Sequence, residues 1–304
     1  MVYINIFIAL TILVVAFCVG VLVSNRLKTV IRKALRKELR IKISADELKT
    51  VVRNPVPANH WCLKNKCIAH SLGEVNGSVY TNSLEALNNS VKRGFKVFET
   101  DITFTTDGVP VLWHQLVDEE IGSYSEFSNS RFDYRYTHMS LEDLLVYMCN
   151  NPDLFFVIDS KNFESYRVSS SIKEIIESKF TNNRDLYNRL IIQISSEEQY
   201  YQIEQLKVFK YYHYIFAHES NILDRLSFLV KNNIHTASVR INIIDTKQIE
   251  LLKEKGVYSY AYAPYLYELD HLKAIEKYFK CGVYGVFSHC ITDSDLNLIS
   301  GGAK

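Results

Sequence analysis

Short apolar runs rich in β-branched and aromatic residues alternate with amphipathic helical stretches from residue 54 onward. Alternation of this kind predicts parallel strands joined by right-handed helical crossovers. The predicted strands are 67–70, 97–104, 110–114, 154–159, 190–194, 212–217, 236–241, 257–262 and 283–288. Helices are predicted between most of them, at 83–93, 140–149, 166–179, 197–208, 220–232, 245–254 and 268–279.

The run at 110–114 follows the strand before it through Asp107-Gly108, a dipeptide typical of two-residue hairpin turns. Because such a turn forces antiparallel pairing, this run is predicted to be a β-hairpin arm. Eight strands remain for a parallel sheet, and eight parallel strands with covering helices form a TIM (β/α)8 barrel. The sequence therefore predicts an α/β barrel over residues 54–304, with its active site at the carboxyl ends of the strands.

The first apolar run, residues 3–23, is uncharged and about as long as a helix that crosses a bilayer. A cleaved signal peptide is the alternative, but the positively charged leading region is missing and the apolar run is too long. Residues 1–24 are therefore predicted to be a single N-terminal transmembrane helix that anchors the chain.

A basic segment follows, with seven lysines and arginines and a single acid, Glu38, between residues 26 and 40. Positive charge on this side of the anchor predicts that the folded domain is cytoplasmic. Apolar residues recur at helical spacing, so 25–53 is predicted to be a basic amphipathic juxtamembrane helix and linker on an anionic membrane surface. A plain helical stalk is the alternative, and Asn54-Pro55-Val56-Pro57 marks the entry to the folded domain.

Overall charge and cysteine content bear on the binding partners of the protein and on the state of its thiols. The 304-residue chain has a net charge of +1 at pH 7, which gives no reason to expect nucleic acid as a partner. Its six cysteines have no regular spacing. Cys62 and Cys67 could pair or bind a metal, but unpaired thiols in a reducing compartment fit the pattern better.

Four side chains with acid, base or metal-binding chemistry fall at predicted strand ends: His70, Glu99, Asp101 and His114. Glu99 and Asp101 are two residues apart and therefore face the same side of one strand. A turn centred on Asp107-Gly108 would place Asp101 directly across from His114. Carboxylates suit hard divalent cations, and a neighbouring histidine can move protons near neutral pH. Solvated residues on a polar strand face are the alternative.

These residues stand in a pattern that resembles the glycerophosphodiester phosphodiesterases and their relatives, the phosphatidylinositol-specific phospholipases C. The resemblance extends from about Cys67 to Asp293, with its specific motifs in the first half. The matching pieces are Ile68-Ala69-His70, Asn82-Ser83-Leu84-Glu85-Ala86, Glu99-x-Asp101, Thr106-Asp107-Gly108 and Val111-Leu112-Trp113-His114.

The resemblance implies a TIM barrel and a phosphoric diester hydrolase that depends on a divalent cation, Ca²⁺ or Mg²⁺. It implies that His70 and His114 form the catalytic acid/base pair. The implied metal ligands are Glu99, Asp101 and Asp159. The third position is often glutamate in the family and is typically followed by a lysine, which Lys161 matches. A salt bridge at the strand end, between Asp159 and Lys161, is the alternative.

The substrate-binding residues implied or suggested in the same way are Lys161, Asn82 and Arg240. By resemblance, Lys161 supports the charge of the phosphate and Asn82 lies next to the metal. Gln193, His218, Arg240 and Tyr262 end later predicted strands and are candidate pocket-lining residues, although packing or a surface position is the favoured interpretation for each. Arg240 is singled out because an arginine can bind a phosphate through two parallel hydrogen bonds.

Three departures from the family pattern indicate a divergent branch. Ser71-Leu72-Gly73 follow the first histidine, where many members have Arg-Gly, and Gln115 follows the second, where aspartate is usual. Tyr260-Ala261-Tyr262-Ala263-Pro264 replaces a strand that contains tryptophan in many members. None of these departures removes a predicted acid/base or metal residue.

The predicted function is a membrane-anchored, metal-dependent phosphodiesterase that cleaves a glycerophosphodiester, a phospholipid headgroup or a related phosphodiester. Two alternatives stay open. One is a catalytically silent barrel that binds a phosphorylated ligand or partner. The other is a lyase that releases a cyclic phosphate, because family members often use an adjacent hydroxyl of the substrate as the nucleophile.

Overall fold

The computed structural model describes residues 54–114, 121–133, 135–161, 164–216, 225–243, 245–263 and 267–300. All of these residues belong to one compact unit, Lys49–Lys304. The predicted anchor at 1–24 and juxtamembrane segment at 25–53 lie outside the described residues, as do Gln115 and His218. Within the described part of the chain, no helix combines the length and the apolar character needed to cross a membrane.

Eight parallel strands close into a barrel in the described part of the chain, which confirms the predicted TIM barrel. Strand β1 pairs with both β2 and β11, and these two pairings complete the ring. Each predicted strand is present within two residues of its expected bounds. The barrel strands are β1 (Cys67–Ala69), β2 (Val97–Phe104), β6 (Phe155–Ser160), β7 (Leu190–Ile194), β8 (Tyr211–Phe216), β9 (Thr236–Arg240), β10 (Tyr258–Tyr262) and β11 (Gly285–Ser288).

The helices cover the barrel between successive strands, as the alternating pattern predicts. Two described helices were not predicted, the short α2 after the arm and α9 after the last strand. The described helices are α1 (Leu84–Arg93), α2 (Tyr124–Asn129), α3 (Leu141–Asn150), α4 (Ser165–Lys179), α5 (Glu197–Glu204), α6 (Leu226–Lys231), α7 (Thr246–Glu254), α8 (Leu272–Lys280) and α9 (Asp293–Ser300). A small sheet of β4 (Arg131–Phe132) and β5 (Tyr136–Thr137) was also not predicted.

The amino-terminal end of the barrel is filled by apolar side chains that point inward from seven of the eight strands. Trp61, from the 3₁₀ helix Trp61–Lys64 before β1, packs among them and is 2% exposed. Its ring lies 5.7 Å from that of Tyr260, whose hydroxyl donates to the Asn65 carbonyl oxygen at 2.6 Å. This end of the barrel is therefore closed by packed apolar side chains.

The arm formed by β2 and β3 (Pro110–Leu112) is antiparallel as predicted, but its register differs by one residue from the predicted one. Ile102 pairs with Leu112, so Asp101 lies opposite Trp113 and not opposite His114. The main-chain N–H of Trp113 donates to the Asp101 carbonyl oxygen at 3.0 Å. The chain has therefore already left β3 when it reaches His114.

The predicted two-residue turn was wrong because the loop has three residues, 106–108. Thr105 closes the loop by donating its main-chain N–H to the Val109 carbonyl oxygen at 3.0 Å. Gly108 ends the loop in the left-handed conformation, at φ 83°, as is usual for three-residue hairpin loops. The Asp107 carboxylate accepts from the Thr105 hydroxyl at 2.6 Å and from the Tyr124 main-chain N–H at 2.8 Å, which fixes this shape.

The described cysteines carry free thiols. Cys62 and Cys67 are both buried and are not joined to each other. Burial raises the pKa of the Cys62 thiol to about 12, so this sulfur is neutral and unreactive at physiological pH. The preference for unpaired thiols over a disulfide is confirmed for these two residues.

Candidate active site

The structure brings the predicted acid, base and metal-binding residues together at the carboxyl end of the barrel. His70 begins the turn that follows β1, and Asp159 lies near the end of β6. Glu99 and Asp101 lie on the part of β2 that leads into the arm, and His114 lies just past β3. Asp101 pairs directly with Asp159 in the register of β2 and β6.

Three carboxylates form an acidic cluster, which consists of Glu99, Asp101 and Asp159. One oxygen of each lies within 4.8 Å of the others. Glu99 and Asp101 are buried, at 3% and 1% exposure, whereas Asp159 is half-buried. Carboxylate oxygens are the ligands that Ca²⁺ and Mg²⁺ prefer in proteins, so the donor set of this cluster fits such a cation.

Lys161 supplies one positive charge to the acidic cluster. Its Nζ pairs with Asp159 Oδ2 at 2.6 Å and contacts Asp101 Oδ1. The ion pair between Asp159 and Lys161, left open as an alternative from the sequence, is therefore present. Three carboxylates and one ammonium group leave two negative charges when all are ionised, which a divalent cation would balance.

The pKa values in the acidic cluster diverge because the groups are buried together. Burial, followed by the nearby carboxylates Asp101 and Asp159, raises the pKa of Glu99 well above its usual range. Burial alone would raise the pKa of Asp101 too, but Lys161 and His114 hold it well below its usual range. Burial would lower the pKa of Lys161, but the surrounding carboxylates raise it. The cluster thus contains an ionised aspartate and a charged lysine beside a glutamate that resists ionisation.

Asp101 is held by hydrogen bonds from three different parts of the chain. Its Oδ2 accepts from the Ser71 hydroxyl at 3.1 Å, from Asn82 Nδ2 at 2.8 Å and from His114 Nδ1 at 3.1 Å. His114 therefore reaches Asp101 even though the register places Trp113 opposite it. An ionised carboxylate is only an acceptor, so this bond assigns the proton to His114 Nδ1 and directs Nε2 away from Asp101.

His70 lies beside Glu99 of the acidic cluster, with its Nε2 at 3.9 Å from Glu99 Oε2. Burial and, to a smaller extent, the neighbouring His289 lower the pKa of His70 to about 3, although Asp101 opposes this shift. The imidazole of His70 is accordingly neutral at pH 7. Its side chain is 16% exposed, compared with 35% for that of His114, so both predicted acid/base residues are accessible at the site.

The turn after His70 has an unusual backbone that serves the acidic cluster. Ser71 and Leu72 are both left-handed, at φ 47° and 66°, which costs about 1–3 kcal/mol for each non-glycine residue. In this conformation the Ser71 main-chain N–H donates to Glu99 Oε2 at 2.8 Å. The residues that replace the family's usual Arg-Gly thus bind two of the predicted metal ligands through Ser71.

Asn82 lies immediately before α1 and is completely buried. Ser83 caps this helix by accepting from the Ala86 main-chain N–H, which fixes the position of the preceding residue. Asn82 Oδ1 accepts from the Thr100 hydroxyl at 2.8 Å and from the Asp101 main-chain N–H at 3.1 Å. The side chain of Asn82 therefore positions both the backbone and the carboxylate of Asp101.

Three residues that sequence reasoning missed also lie at this end of the barrel: Tyr80, Asp270 and His289. The Tyr80 ring lies 5.1 Å from that of His70, 5.3 Å from that of His114 and 5.0 Å from that of His289. His289 directly follows β11, just as His70 directly follows β1. Its strand-end position was the available signal, but no neighbour in the sequence suggested a partner for it.

A cavity of about 200 Å³ adjoins Asp159 and Lys161 between the ends of β6, β7 and β8. It is smaller than the pockets of about 300–1,000 Å³ that take drug-sized ligands. Its polar lining comes from the hydroxyl and amide side chains of Ser160, Ser165, Gln193, Ser195 and Gln199. Gln193 therefore lines this cavity, although packing or a surface position was the favoured interpretation of its place at a strand end.

Arg240 ends β9, which lies four strands away from β2 around the ring of eight. The two strands are on opposite sides of the barrel, so Arg240 is across the barrel from the acidic cluster. Tyr262 ends the adjacent strand β10 and pairs with Arg240 in register. A role for Arg240 in substrate binding stays a prediction.

Fold and site together define a (β/α)8 barrel with a candidate metal-dependent acid/base centre. The model of the glycerophosphoryl diester phosphodiesterase family matches residues 75–167, the part of the chain that carries Asn82, Glu99, Asp101, His114, Asp159 and Lys161. No curated protein sequence matches the chain significantly. The predicted resemblance to the glycerophosphodiester phosphodiesterase superfamily, whose members are phosphoric diester hydrolases, is confirmed.

Solved structures show the same fold at low sequence identity. A candidate glycerophosphodiester phosphodiesterase from Galdieria sulphuraria is 18% identical, with a TM-score of 0.65 and coverage of 78% of this chain and 98% of that one. A phosphodiesterase from Oleispira antarctica, solved with the product sn-glycerol-3-phosphate, is 18% identical, with a TM-score of 0.61 and coverage of 78% and 98%. A glycerophosphodiester phosphodiesterase from Parabacteroides distasonis is 16% identical, with a TM-score of 0.60 and coverage of 79% and 99%.

Proposed function

We propose that this protein is a metal-dependent phosphodiesterase that cleaves a glycerophosphodiester, a phospholipid headgroup or a related phosphodiester. The observation that carries the proposal is the acidic cluster with His70 beside Glu99 and His114 hydrogen-bonded to Asp101. Cleavage of a phosphodiester requires removal of a proton from the nucleophile, donation of a proton to the leaving oxygen and neutralisation of phosphoryl charge. The site contains a group suited to each requirement.

Glu99, Asp101 and Asp159 would hold the divalent cation, either Ca²⁺ or Mg²⁺. When bound, such a cation neutralises charge on the phosphoryl oxygens and orients the phosphate. Ser71 and Asn82 keep the carboxylates in place through the hydrogen bonds described above. Lys161 adds a second positive charge at the same place, consistent with its predicted role in supporting the charge of the phosphate.

His70 and His114 would share the acid and base roles. The neutral imidazole of His70 is able to accept a proton from the nucleophile or from a hydroxyl of the substrate. His114 is oriented by its hydrogen bond to Asp101, which presents Nε2 to the bound phosphodiester. Either water or an adjacent substrate hydroxyl serves as nucleophile in this arrangement, and the second choice gives a cyclic product.

The cavity beside Asp159 and Lys161 supports a small, polar leaving group. Hydroxyl and amide side chains line it, and its volume of about 200 Å³ suits a headgroup better than an acyl chain. The Oleispira antarctica phosphodiesterase, which has the same fold, was solved with sn-glycerol-3-phosphate. Both observations favour a substrate that carries a glycerol or a group of similar size and polarity.

Hydrolysis assays on the full-length chain in mild detergent test this proposal. Bis(p-nitrophenyl) phosphate and a panel of glycerophosphodiesters would be offered with calcium, with magnesium and with EDTA. The variants are His70→Ala and Glu99→Gln, with the exposed residues His271 and Glu174 changed in the same way as matched controls. We expect the wild-type chain to release product in a metal-dependent reaction. Both site variants should lose this activity, and both control variants should keep it.

Other outcomes separate the alternatives. A product that ³¹P NMR shows to be a cyclic phosphate would identify a lyase. Binding of calcium or inorganic phosphate by calorimetry, without turnover of any substrate, would favour the catalytically silent barrel. Turnover that is unchanged in His70→Ala and Glu99→Gln would show that the acid/base and metal site lies elsewhere.

We also propose that residues 1–24 anchor the chain in a membrane, with the catalytic domain on the cytoplasmic side. The apolar run at 3–23 and the basic segment after it support this arrangement. The full-length chain is expected to stay in the membrane fraction after alkaline carbonate washing. In sealed, right-side-out cells, a protease added outside should leave the domain intact; digestion of the domain would reverse the orientation.

A further inference from the structure

A third histidine lies against the predicted acid/base pair. Strands β1 and β11 pair with Ala69 opposite Ser288, so the residues that follow them, His70 and His289, leave the barrel side by side. Their imidazole rings stack, with centroids 4.9 Å apart and planes inclined by 29°. The contact is therefore a consequence of the strand register that closes the barrel.

Asp270 accepts two hydrogen bonds from His289 and one from the neighbouring Ser288. Its Oδ2 accepts from His289 Nδ1 at 2.9 Å, while Oδ1 accepts from the His289 main-chain N–H and the Ser288 hydroxyl, each at 2.7 Å. The two side chains are buried, with exposures of 5% for His289 and 8% for Asp270. Both carboxylate oxygens are thus engaged, and the imidazole of His289 is fixed in its plane.

The Asp270 carboxylate is ionised at neutral pH. Burial would raise the pKa of Asp270, but the hydrogen bonds and charge of His289, and the hydroxyl of Ser288, hold it below its usual value. An ionised carboxylate assigns the proton to His289 Nδ1, as in other carboxylate–imidazole pairs.

Three rings surround His70 and limit its rotation. Tyr80 meets it edge-on at 5.1 Å and Phe287 edge-on at 6.0 Å, while His289 stacks on it. Phe287 is fixed in the barrel core, and His289 is fixed by Asp270. The stacked ring therefore sets the plane of the His70 imidazole, whose Nε2 faces Glu99.

We propose that His289, held by Asp270, is a positioning residue for His70 and fixes the plane of its imidazole beside the acidic cluster. This inference rests on the proposed function, in which His70 exchanges a proton with the substrate. Small errors in the placement of such a group lower the rate of the chemical step much more than the affinity for substrate. Loss of the stacked ring is therefore expected to lower kcat and to leave KM nearly unchanged.

Two substitutions at residue 289 separate the stacking from the fold of the loop. His289→Ala removes the ring but keeps the main-chain hydrogen bond to Asp270, and His289→Phe keeps a ring that can stack. We expect His289→Ala to lower kcat by about 10–100-fold, as removal of supporting residues around catalytic sites does, with KM changed less than about threefold. His289→Phe should recover most of the lost kcat, since a flat ring again faces His70.

His235→Ala is the matched control. This buried histidine donates from Nδ1 to the Gly256 carbonyl oxygen at 3.0 Å, and it packs against His60, away from the acidic cluster. It should lose stability with kcat unchanged. If His289→Ala keeps the wild-type kcat, or if His235→Ala lowers kcat equally, the positioning role is wrong.

A measurement that needs no turnover completes the test. In the full-length chain labelled with ¹⁵N-histidine, the ring resonances of His70 should be a single sharp set. They should shift and broaden in His289→Ala and return in His289→Phe, and unchanged His70 resonances in His289→Ala would overturn the inference. Failure of the proposed function looks different, because wild-type turnover would then be absent or would survive His70→Ala.

Discussion

The amide of Asn82 provides the sharpest test of how the acidic cluster is built. Asn82→Asp keeps the shape of the side chain and the acceptor that Thr100 and the Asp101 main-chain N–H use. The backbone at φ 45° is one that aspartate adopts about as readily as asparagine. The change converts one atom, the Nδ2 that donates to Asp101 Oδ2 at 2.8 Å, into an oxygen.

The cost follows from that single contact. A hydrogen bond to a charged group is worth about 1.5–3 kcal/mol, and two facing carboxylates add repulsion that is limited by uptake of a proton. We expect a loss of about 2–4 kcal/mol in the free energy of unfolding at pH 7. In a domain of this size each kcal/mol lowers Tm by about 2–4 °C, so Tm should fall by about 4–16 °C.

The loss should depend on pH and on cations in a defined direction. The introduced carboxyl binds its proton more tightly in the folded state than in the unfolded state, so the penalty shrinks as the pH falls. Calcium should raise the Tm of Asn82→Asp more than that of the wild type, because the cluster then holds an additional carboxylate.

Thermal unfolding followed by circular dichroism at pH 7 and at pH 5.5, in EDTA and in calcium, measures all of these effects. Asn188→Asp, at an exposed position outside the site, is the control and should leave Tm within about 2 °C, as surface substitutions do. A wild-type Tm for Asn82→Asp in EDTA at pH 7 would refute the reasoning, because the amide would then not be holding Asp101.

Three further predictions concern charges buried in the barrel. Glu99→Gln should leave the free energy of unfolding in EDTA equal or higher, because it removes a carboxyl whose pKa is raised by burial and by its neighbours. Metal-dependent hydrolysis should fall by about 10–100-fold. Denaturation and turnover are measured on one sample, and a large loss of stability would contradict this prediction. Lys161→Met should lower the free energy of unfolding in EDTA by about 3–5 kcal/mol, since it leaves Asp101 buried without its cationic partner. Calcium should restore part of this lost stability. If the urea unfolding of the variant does not respond to calcium, the result would argue against a cation site. Burial lowers the pKa of His213 to about 3, so the unfolded chain gains a proton below about pH 6.5 that the folded chain does not, and stability falls as the pH is lowered. His213→Gln should remove about 1.4 kcal/mol per pH unit of that slope between pH 6 and pH 5, as measured by urea unfolding; an unchanged slope would mean that His213 is protonated in the folded state.

Much of the barrel was predictable because its strands and helices have different hydrophobic periods. Runs such as 154–158 and 190–192 are continuously apolar, as expected for strands that are covered on both faces. The segment between the arm and α3 was not predicted, since its strands have two residues each and α2 has six. Elements this short contain too few residues to show a period.

The arm shows how a local rule can fail by one residue. Asp107-Gly108 did mark a hairpin, but Gly108 occupies the last position of a three-residue loop and not the second of two. The carboxylate of Asp107 selects the longer loop by accepting from Thr105 and Tyr124, and Tyr124 is too distant in sequence for a local rule to include it. Contact between Asp101 and His114 was still predicted correctly, because the chain bends after β3 and brings His114 back.

The features of the site that depend on long-range contacts could not be predicted from the sequence. Glu99, Asp101 and Asp159 lie on recognisable strands, and two of them share a motif. The pairing of Asp270 with His289 depends on how the turn before α8 packs against the end of β11. The spacing of residues along the sequence does not predict this packing. The hydrogen bonds of Ser71 depend in the same way on two left-handed residues that a sequence pattern would not predict.

The closure of the barrel has a consequence for how the protein is made. Cys67 pairs with Val286, so almost the entire folded domain lies between these partners in sequence. Contacts so distant along the chain form slowly, and during synthesis β1 must wait until β11 has left the ribosome. His70 meets His289 only at that last step, so this contact cannot form in a nascent chain that ends before residue 285. The last strand to be synthesised is therefore also the one that completes the surroundings of His70.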